Sequence, residues 1–252
     1  MKYLVLTLPF LLVTVSQAAS LPINHDARLQ AGAIASLKAD AYAADDKIGI
    51  SPLFLYDNNR FYLEGAEGGY YPYKDSQNWV RIGLSYDDTH FEPKDAKSTQ
   101  LKQLDERKPS INAHVSYMHI TPVGGFEIKA AKDISNHSDG QIISLTHRSK
   151  FTFLDDNLTV YPKVGATWYD KKHNNYYYGV SDAEVAKSGL RSYQAKSGIS
   201  PYISASAFYK INDRISAFGN QKFEWLSSTQ KDSPLTDGST KSSTSLGLLY
   251  QF

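Results

Sequence analysis

The chain has 252 residues, 41% hydrophobic and 21% charged, with a formal net charge of +1. That near-neutral balance, with its lysines and arginines scattered, gives no footprint for nucleic acid or a polyanionic surface. Cysteine is absent, which excludes a disulfide framework, a thiolate metal site, a Cys nucleophile and a lipid-modified N-terminal cysteine.

The first element is an export signal. Lys2 is a short basic region, and Tyr3 to Val15 is an apolar run broken only by Thr7, Pro9 and Thr14. Ser16-Gln17-Ala18 then offers small residues at the positions a signal peptidase reads. Residues 1–18 are therefore expected to leave, and 19–252 to form the mature protein. No later apolar run approaches the ~20 residues of a helical crossing, so a mature chain in a membrane must cross as strands.

Two-residue alternation dominates the rest of the chain, and helical periodicity is scarce. Before Asp88 the candidate strands are Leu29 to Leu37, Lys47 to Tyr56, Arg60 to Tyr71 and Gln77 to Tyr86. Gly65, Gly68 and Gly69 mark either a turn or a bulge there, so the number of strands is open. Further on come Ile111 to Ile120 and Phe126 to Asp133. From Leu158 to Tyr169, Val160, Val164 and Trp168 share one face, and Thr159, Lys163 and Thr167 share the other. Pro162 supplies no ladder donor, so a bulge is expected beside it. Ile199 to Ile211 repeats the pattern, with Ile203 and Ala205 opposite Ser204 and Lys210. Ile215 to Trp225 follows. The last strand ends Leu246, Leu248, Tyr250, Phe252 on one face.

A soluble sandwich would alternate in the same way. Three features favour a barrel in lipid. Many strands reach ~10 residues, enough for a tilted crossing. The polar faces carry Arg81, Glu127, Lys129, Lys163, Lys210, Lys222 and Glu224, which suit a wet lumen. Connections alternate in length: Thr121 to Gly125, Asp155 to Asn157 and Asn212 to Arg214 are tight, whereas His90 to Pro109, Asp170 to Gly198 and Ser227 to Thr240 are long. The 18 Tyr, 11 Phe and 3 Trp suit boundaries between apolar and wet surroundings. The expectation is an all-β, transmembrane antiparallel barrel of ten to twelve strands in the outer membrane of a Gram-negative cell. Val160, Val164, Trp168, Ile203 and Ala205 should face lipid, and Lys163, Lys210 and Ser204 the lumen.

Leu101-Lys102-Gln103-Leu104-Asp105-Glu106-Arg107-Lys108 resembles the L-x-x-L-D-x-R-K segment of the MipA/OmpV family. Asn175-Tyr176-Tyr177-Tyr178-Gly179-Val180-Ser181 resembles its N-x-Y-Y-Y-G-V segment, with one residue fewer between the Asn and the Gly. Ser188-Gly189-Leu190 with Tyr193 resembles the following S-G-L-x-x-Y, and Asp232-Ser233-Pro234-Leu235 its late D-S-P-[ML]. The order agrees, and the likeness covers most of the mature chain. The resemblance implies an outer-membrane barrel without catalytic activity. For one branch it implies a scaffold holding a lytic transglycosylase together with a murein synthase; other branches resemble surface antigens and adhesins. A passive or gated pore is the alternative. The terminal aromatic strand, through Tyr250 and Phe252, resembles the signal read by the barrel-assembly machinery.

Neither a catalytic nor a metal site is expected, and no cofactor. His114 and His119 lie five apart on one strand and so on opposite faces. Ser, His and Asp occur on no spacing that sets a nucleophile beside a base. The candidate site is the set of motif residues in the long loops: Leu104, Asp105, Arg107, Lys108, Tyr176, Tyr177, Tyr178, Gly179, Gly189, Arg191, Tyr193, Asp232, Ser233 and Pro234. The tyrosine triple is either a contact platform or part of a loop folded inward to close the barrel. Four and then two predicted strands separate the three loops, so all three belong at one rim. With the last strand anchored at the periplasmic side, that rim faces outward. Arg107 and Arg191 are expected to pair with Asp105 or Asp232.

Overall fold

The computed structural model describes residues 29–252; the predicted signal peptide lies outside them. The strands are β1 (Gln30–Ala39), β2 (Lys47–Asp57), β3 (Phe61–Glu64), β4 (Glu67–Lys74), β5 (Asn78–Asp87), β6 (Ser110–Thr121) and β7 (Gly124–Asp133). There follow β8 (Gln141–Arg148), β9 (Phe151–Phe153), β10 (Leu158–Tyr169), β11 (Gly198–Lys210), β12 (Ile215–Trp225) and β13 (Thr240–Gln251). Each pairs antiparallel with its neighbours, and β13 returns to pair with β1, closing the sheet. β8 and β9 lie on the same side of β10, at Lys163–Tyr169 and Leu158–Val160, so they are two pieces of one wall strand. The wall therefore has twelve positions. Closure joins the two end strands of the sheet, so no full-length edge faces hydrocarbon.

The break between β8 and β9 falls opposite Pro162, whose carbonyl accepts from the Ser149 amide at 3.1 Å. The proline has no N–H for that side, and the ladder is interrupted there; the register is the same on both sides of the gap, so the expected bulge does not form. The N-terminal ambiguity also resolves. Arg60 to Tyr71 is not one strand but the hairpin β3–β4, turned at Gly65 with φ +63, a conformation glycine adopts without steric cost.

The predicted faces hold where burial reads them. Val164 and Ile203 are cross-strand partners, both exposed on the outer surface, as are Leu246, Leu248, Tyr250 and Phe252. Lys163 and Ser204 line the lumen. Lys210 departs from expectation: it sits at the rim and pairs with Asp213 at 2.8 Å instead of reaching the lumen water. The backbone of Phe252 donates to Leu29 at 3.1 Å, so both ends of the described chain meet at one rim. The short turns lie at that rim and the long loops at the other, the arrangement of outer-membrane barrels with short turns periplasmic.

Candidate functional site: a capped barrel over a charged lumen

The long loops fold into a cap that the alternation pattern did not announce. Asp170 accepts the His173 amide at 2.7 Å and starts helix α1 (Lys171–Tyr178). Ser181 and Glu184 form a reciprocal capping box that starts α2 (Asp182–Ser188), which Gly189 ends with φ +69. Ser227 and Gln230 form a second box for α3 (Ser228–Lys231). These caps satisfy amides that a helix start leaves open. Helices this short do not hold in water on propensity alone. Packing holds them: Tyr42, Phe91, Leu101, Leu104, Tyr177, Tyr178, Val180 and Leu235 form one buried apolar cluster over the barrel mouth.

The motif residues are distributed through this cap. Tyr177 is fully buried; its hydroxyl donates to the Lys108 carbonyl at 3.0 Å and lies 2.8 Å from the Ser110 hydroxyl. The Lys108 amide donates to the Tyr176 hydroxyl at 2.9 Å. Tyr178 is stacked on Tyr42, and its carbonyl accepts from the Ser233 hydroxyl at 2.6 Å. The Tyr193 hydroxyl donates to the Thr229 carbonyl at 2.8 Å. Leu104 and Gly179 are buried, while Asp105, Lys108, Gly189, Arg191 and Asp232 are exposed and Pro234 is half-buried. Of the two alternatives for the tyrosines, Tyr177 and Tyr178 thus face inward.

The expected arginine pairs need correction. The carboxylate partner of Arg107 is Glu184, at 2.7 Å, and not Asp105 or Asp232. The same guanidinium donates to the carbonyls of Asp105 at 2.9 Å and Gly179 at 3.1 Å. Asp105 pairs instead with Lys187 at 2.9 Å. Arg191 donates to the Asp232 carbonyl at 2.8 Å, not to its carboxylate. Glu184 was missed because its value comes from joining its own helix cap to a distant segment, residues 105–107. It accepts from the Asp105 amide, the Ser181 amide and Arg107 together. The capping-box spacing, Ser181 to Glu184, was the one signal that could have singled it out. Burial pushes the Glu184 carboxyl up, but the Ser181 hydrogen bond and the Arg107 guanidinium outweigh it and leave the group below the ordinary carboxylate range.

Beneath the cap lies a cavity of ≈ 500 Å³ whose lining carries both signs of charge. The tip of the β3–β4 hairpin organises its floor. Glu64 faces Arg81 at 3.5 Å, Arg148 at 3.6 Å and Lys163 at 3.8 Å. Glu67 faces Lys129 and lies 3.4 Å from the His114 imidazole. Arg81, 3% exposed, also binds Glu127. Four of these charges, Arg81, Glu127, Lys129 and Lys163, were legible from alternation. Glu64 and Glu67 were not, because they flank a turn in a stretch that reads as one strand. Among the described residues no group of three His, Asp or Glu side chains is placed to hold a metal ion. Nearer the periplasmic rim Met118, Leu249 and Tyr62 are buried.

Twelve antiparallel wall strands, an apolar outer surface, a polar lumen and a folded outer cap define an outer-membrane β-barrel with its mouth closed. The chain belongs to the MltA-interacting protein family: the family profile described as MltA-interacting protein MipA matches residues 31–252. It is similar to the MltA-interacting protein of Escherichia coli (strain K12), 34% identical over 201 residues that cover 80% of each chain. It is also similar to a 24 kDa outer membrane protein of Pasteurella multocida (strain Pm70), 34% identical over 100 residues, 39% of each chain. Among solved structures, the NanC porin aligns with 89% of this chain and 100% of its own at 11% identity and TM-score 0.43. Both sequence relatives are named as an interacting protein or a membrane protein, and neither as an enzyme.

Proposed function

We propose that this barrel is a non-catalytic scaffold in the outer membrane that holds a murein lytic transglycosylase of the MltA kind, and with it a murein synthase. The observation that carries this reading is the 34% identity, over 80% of each chain, to a protein named for its interaction with MltA. The cap adds support. With Tyr177, Tyr178 and Leu235 filling the mouth, a steady open pore would need a path through a packed core. A murein enzyme works in the periplasm, so its contact belongs at the rim of short turns. The motif residues of the outer cap then act as architecture and not as the contact. Immobilised full-length barrel in detergent, challenged with purified lytic transglycosylase, is expected to retain it. Alanine substitutions at Asp155 and Asp156 in a periplasmic turn should weaken retention, and Arg191→Ala in the cap should leave it unchanged. Retention lost in the cap variant alone, or no retention by the parent, overturns the reading. Steady single-channel conductance from the parent protein would favour a pore instead.

A further inference from the structure

The wall is closed around its circumference but not over its full height. β2 pairs with β1 from Lys47 to Leu55, yet with β3 only from Leu55 to Asp57. Its other side, from Lys47 to Leu53, has no ladder partner among the described residues. The β3–β4 turn ends the neighbouring wall below this stretch: the Gly65 amide donates to the Phe54 carbonyl at 3.0 Å. The Tyr86 amide at the end of β5 donates to the Ala66 carbonyl at 2.9 Å and forms the far side. Above, the Lys47 ammonium binds His90 at 2.7 Å, Glu92 at 3.2 Å and Asp95 at 3.3 Å. These groups frame a window in the outer half of the wall.

Burial shows that the window is open through its thickness. Residues 48–52 are exposed in succession, Ile48 at 81% and Ile50 at 82%. Outward residues of a membrane barrel are exposed in any case. Gly49 and Ser51 face inward and are exposed as well, whereas the neighbouring inward residues Ser36 and Leu53 are buried. A Cβ at Gly49 would meet nothing within 4 Å. The cavity under the cap reaches the same frame, since Ala66, Tyr86 and Asp88 line it.

The edge is chemically shaped as an opening. In a strand the N–H and C=O of one residue point the same way. Phe54 bonds toward the hairpin, so Pro52, Ile50 and Ile48 point their peptide groups into the window. Bare peptide groups against hydrocarbon are costly, and irregular backbone persists at membrane depth where it lines a wet cavity. Pro52 has no N–H to leave unpaired, and a proline on an edge discourages an added strand. A docking edge for another chain would have kept its donors.

We propose that this window is a lateral passage between the lumen cavity and the outer leaflet, and that it admits a zwitterionic amphiphile. The head group would sit in the cavity, whose lining carries five acidic and five basic side chains, a balance that suits a head bearing both charges. The tail would leave over Ile48, Ile50 and Tyr86 into the leaflet.

The chain has no cysteine, so single-cysteine labelling is clean. Full-length protein in phosphatidylcholine vesicles carries a small fluorophore on Ser144→Cys in the cavity, on Val164→Cys in the outer belt or on Ser116→Cys in the packed lumen. Phosphatidylcholine with a nitroxide on its choline is the quencher. Quenching at Ser144→Cys well above that at mid-membrane Val164→Cys is expected, with none at Ser116→Cys. Adding Gly49→Trp, which fills open space, should abolish the Ser144→Cys signal and leave the low Val164→Cys signal unchanged. Heat-modifiable migration on gels verifies folding of each variant. Quenching at Ser144→Cys no greater than at Ser116→Cys, or unchanged by Gly49→Trp, overturns the proposal. So does iodide reaching Ser144→Cys where the nitroxide lipid does not, which leaves a water-only opening. Disulfide-linked dimers of Ile50→Cys in place of lipid quenching would show the edge pairing with a second copy, and would overturn it too.

Discussion

At the outer rim, four loops bring ten buried residues together into an apolar core above the barrel. At the periplasmic rim three of the turns are held largely by their own side chains. Asn58 accepts the amides of Arg60 and Phe61, Asp75 those of Gln77 and Asn78, and Asn212 those of Arg214 and Ile215. Leu154, Asp155 and Asp156 turn the chain with three successive positive φ angles. In the cap a side chain depends on partners up to a hundred or more residues away, as Tyr42 does on the Tyr177 carbonyl. In these turns Asn58, Asp75 and Asn212 hold amides two or three residues away. Damage should therefore spread through the cap and stay local in the turns. The family-like segments all lie in the rim with the long-range contacts.

The largest effect is expected from Arg107→Ala. It leaves the buried Glu184 carboxylate without its cation, and removing one partner of a buried pair costs about 3–5 kcal/mol. Limited proteolysis should cut faster between Ser181 and Gly189 while heat-modifiable gel migration is unchanged. If the variant barrel itself unfolds without heating, cap and wall are one cooperative unit and the contrast fails. Next comes a test of the wall between the two rims. Val164→Arg puts a charge on the lipid face near mid-membrane and should cost ~2–4 kcal/mol in urea unfolding from vesicles, with cap proteolysis unaffected.

Tyr177→Phe strips a buried hydroxyl from the Lys108 carbonyl and Ser110, a loss of about 1–3 kcal/mol seen as faster hydrogen exchange in the cap amides. Acid acts on the same region more gradually. Because the Glu184 carboxyl is held below its ordinary value, its stabilisation is complete above the ordinary glutamate range. It is lost as pH falls through the depressed value. Cap proteolysis should accelerate over that window in the parent and lose this step in Glu184→Gln. The smallest effect belongs to the periplasmic rim: Asn212→Ala should cost about 0.5–1.5 kcal/mol and change exchange only in the turn that holds it. An effect of Asn212→Ala on cap proteolysis would show the two rims coupled.

The wall was legible because a strand in a barrel carries its own signature. Leu158 to Tyr169 alternates between lipid and water, and its observed bounds match residue for residue. The stretch before Asp88 was less legible, since β3 is four residues long, too short to show a period. There the glycine at position 65 carried the turn and alternation carried nothing. The cap helices were missed because α1, with the sequence Lys-Lys-His-Asn-Asn-Tyr-Tyr-Tyr, has no apolar stripe on a polar background. The loops' shared rim, by contrast, needed only a count of intervening strands.

What the sequence determined by itself was the class of protein, the facing of most wall strands and the side on which the long loops gather. These depend on a period of two and on parity, both local properties of the chain. What only the tertiary structure decided was which groups meet. Arg107 finds Glu184 and not Asp105 because two capped helices fold Glu184 back across the barrel mouth. Glu64 and Glu67 reach the basic side chains of four strands because a short hairpin ends part-way up the wall. The same early turn leaves the upper edge of β2 without a neighbour. Such pairings depend on shear and on where neighbouring strands stop, quantities set by closure of the whole sheet and written in no single segment.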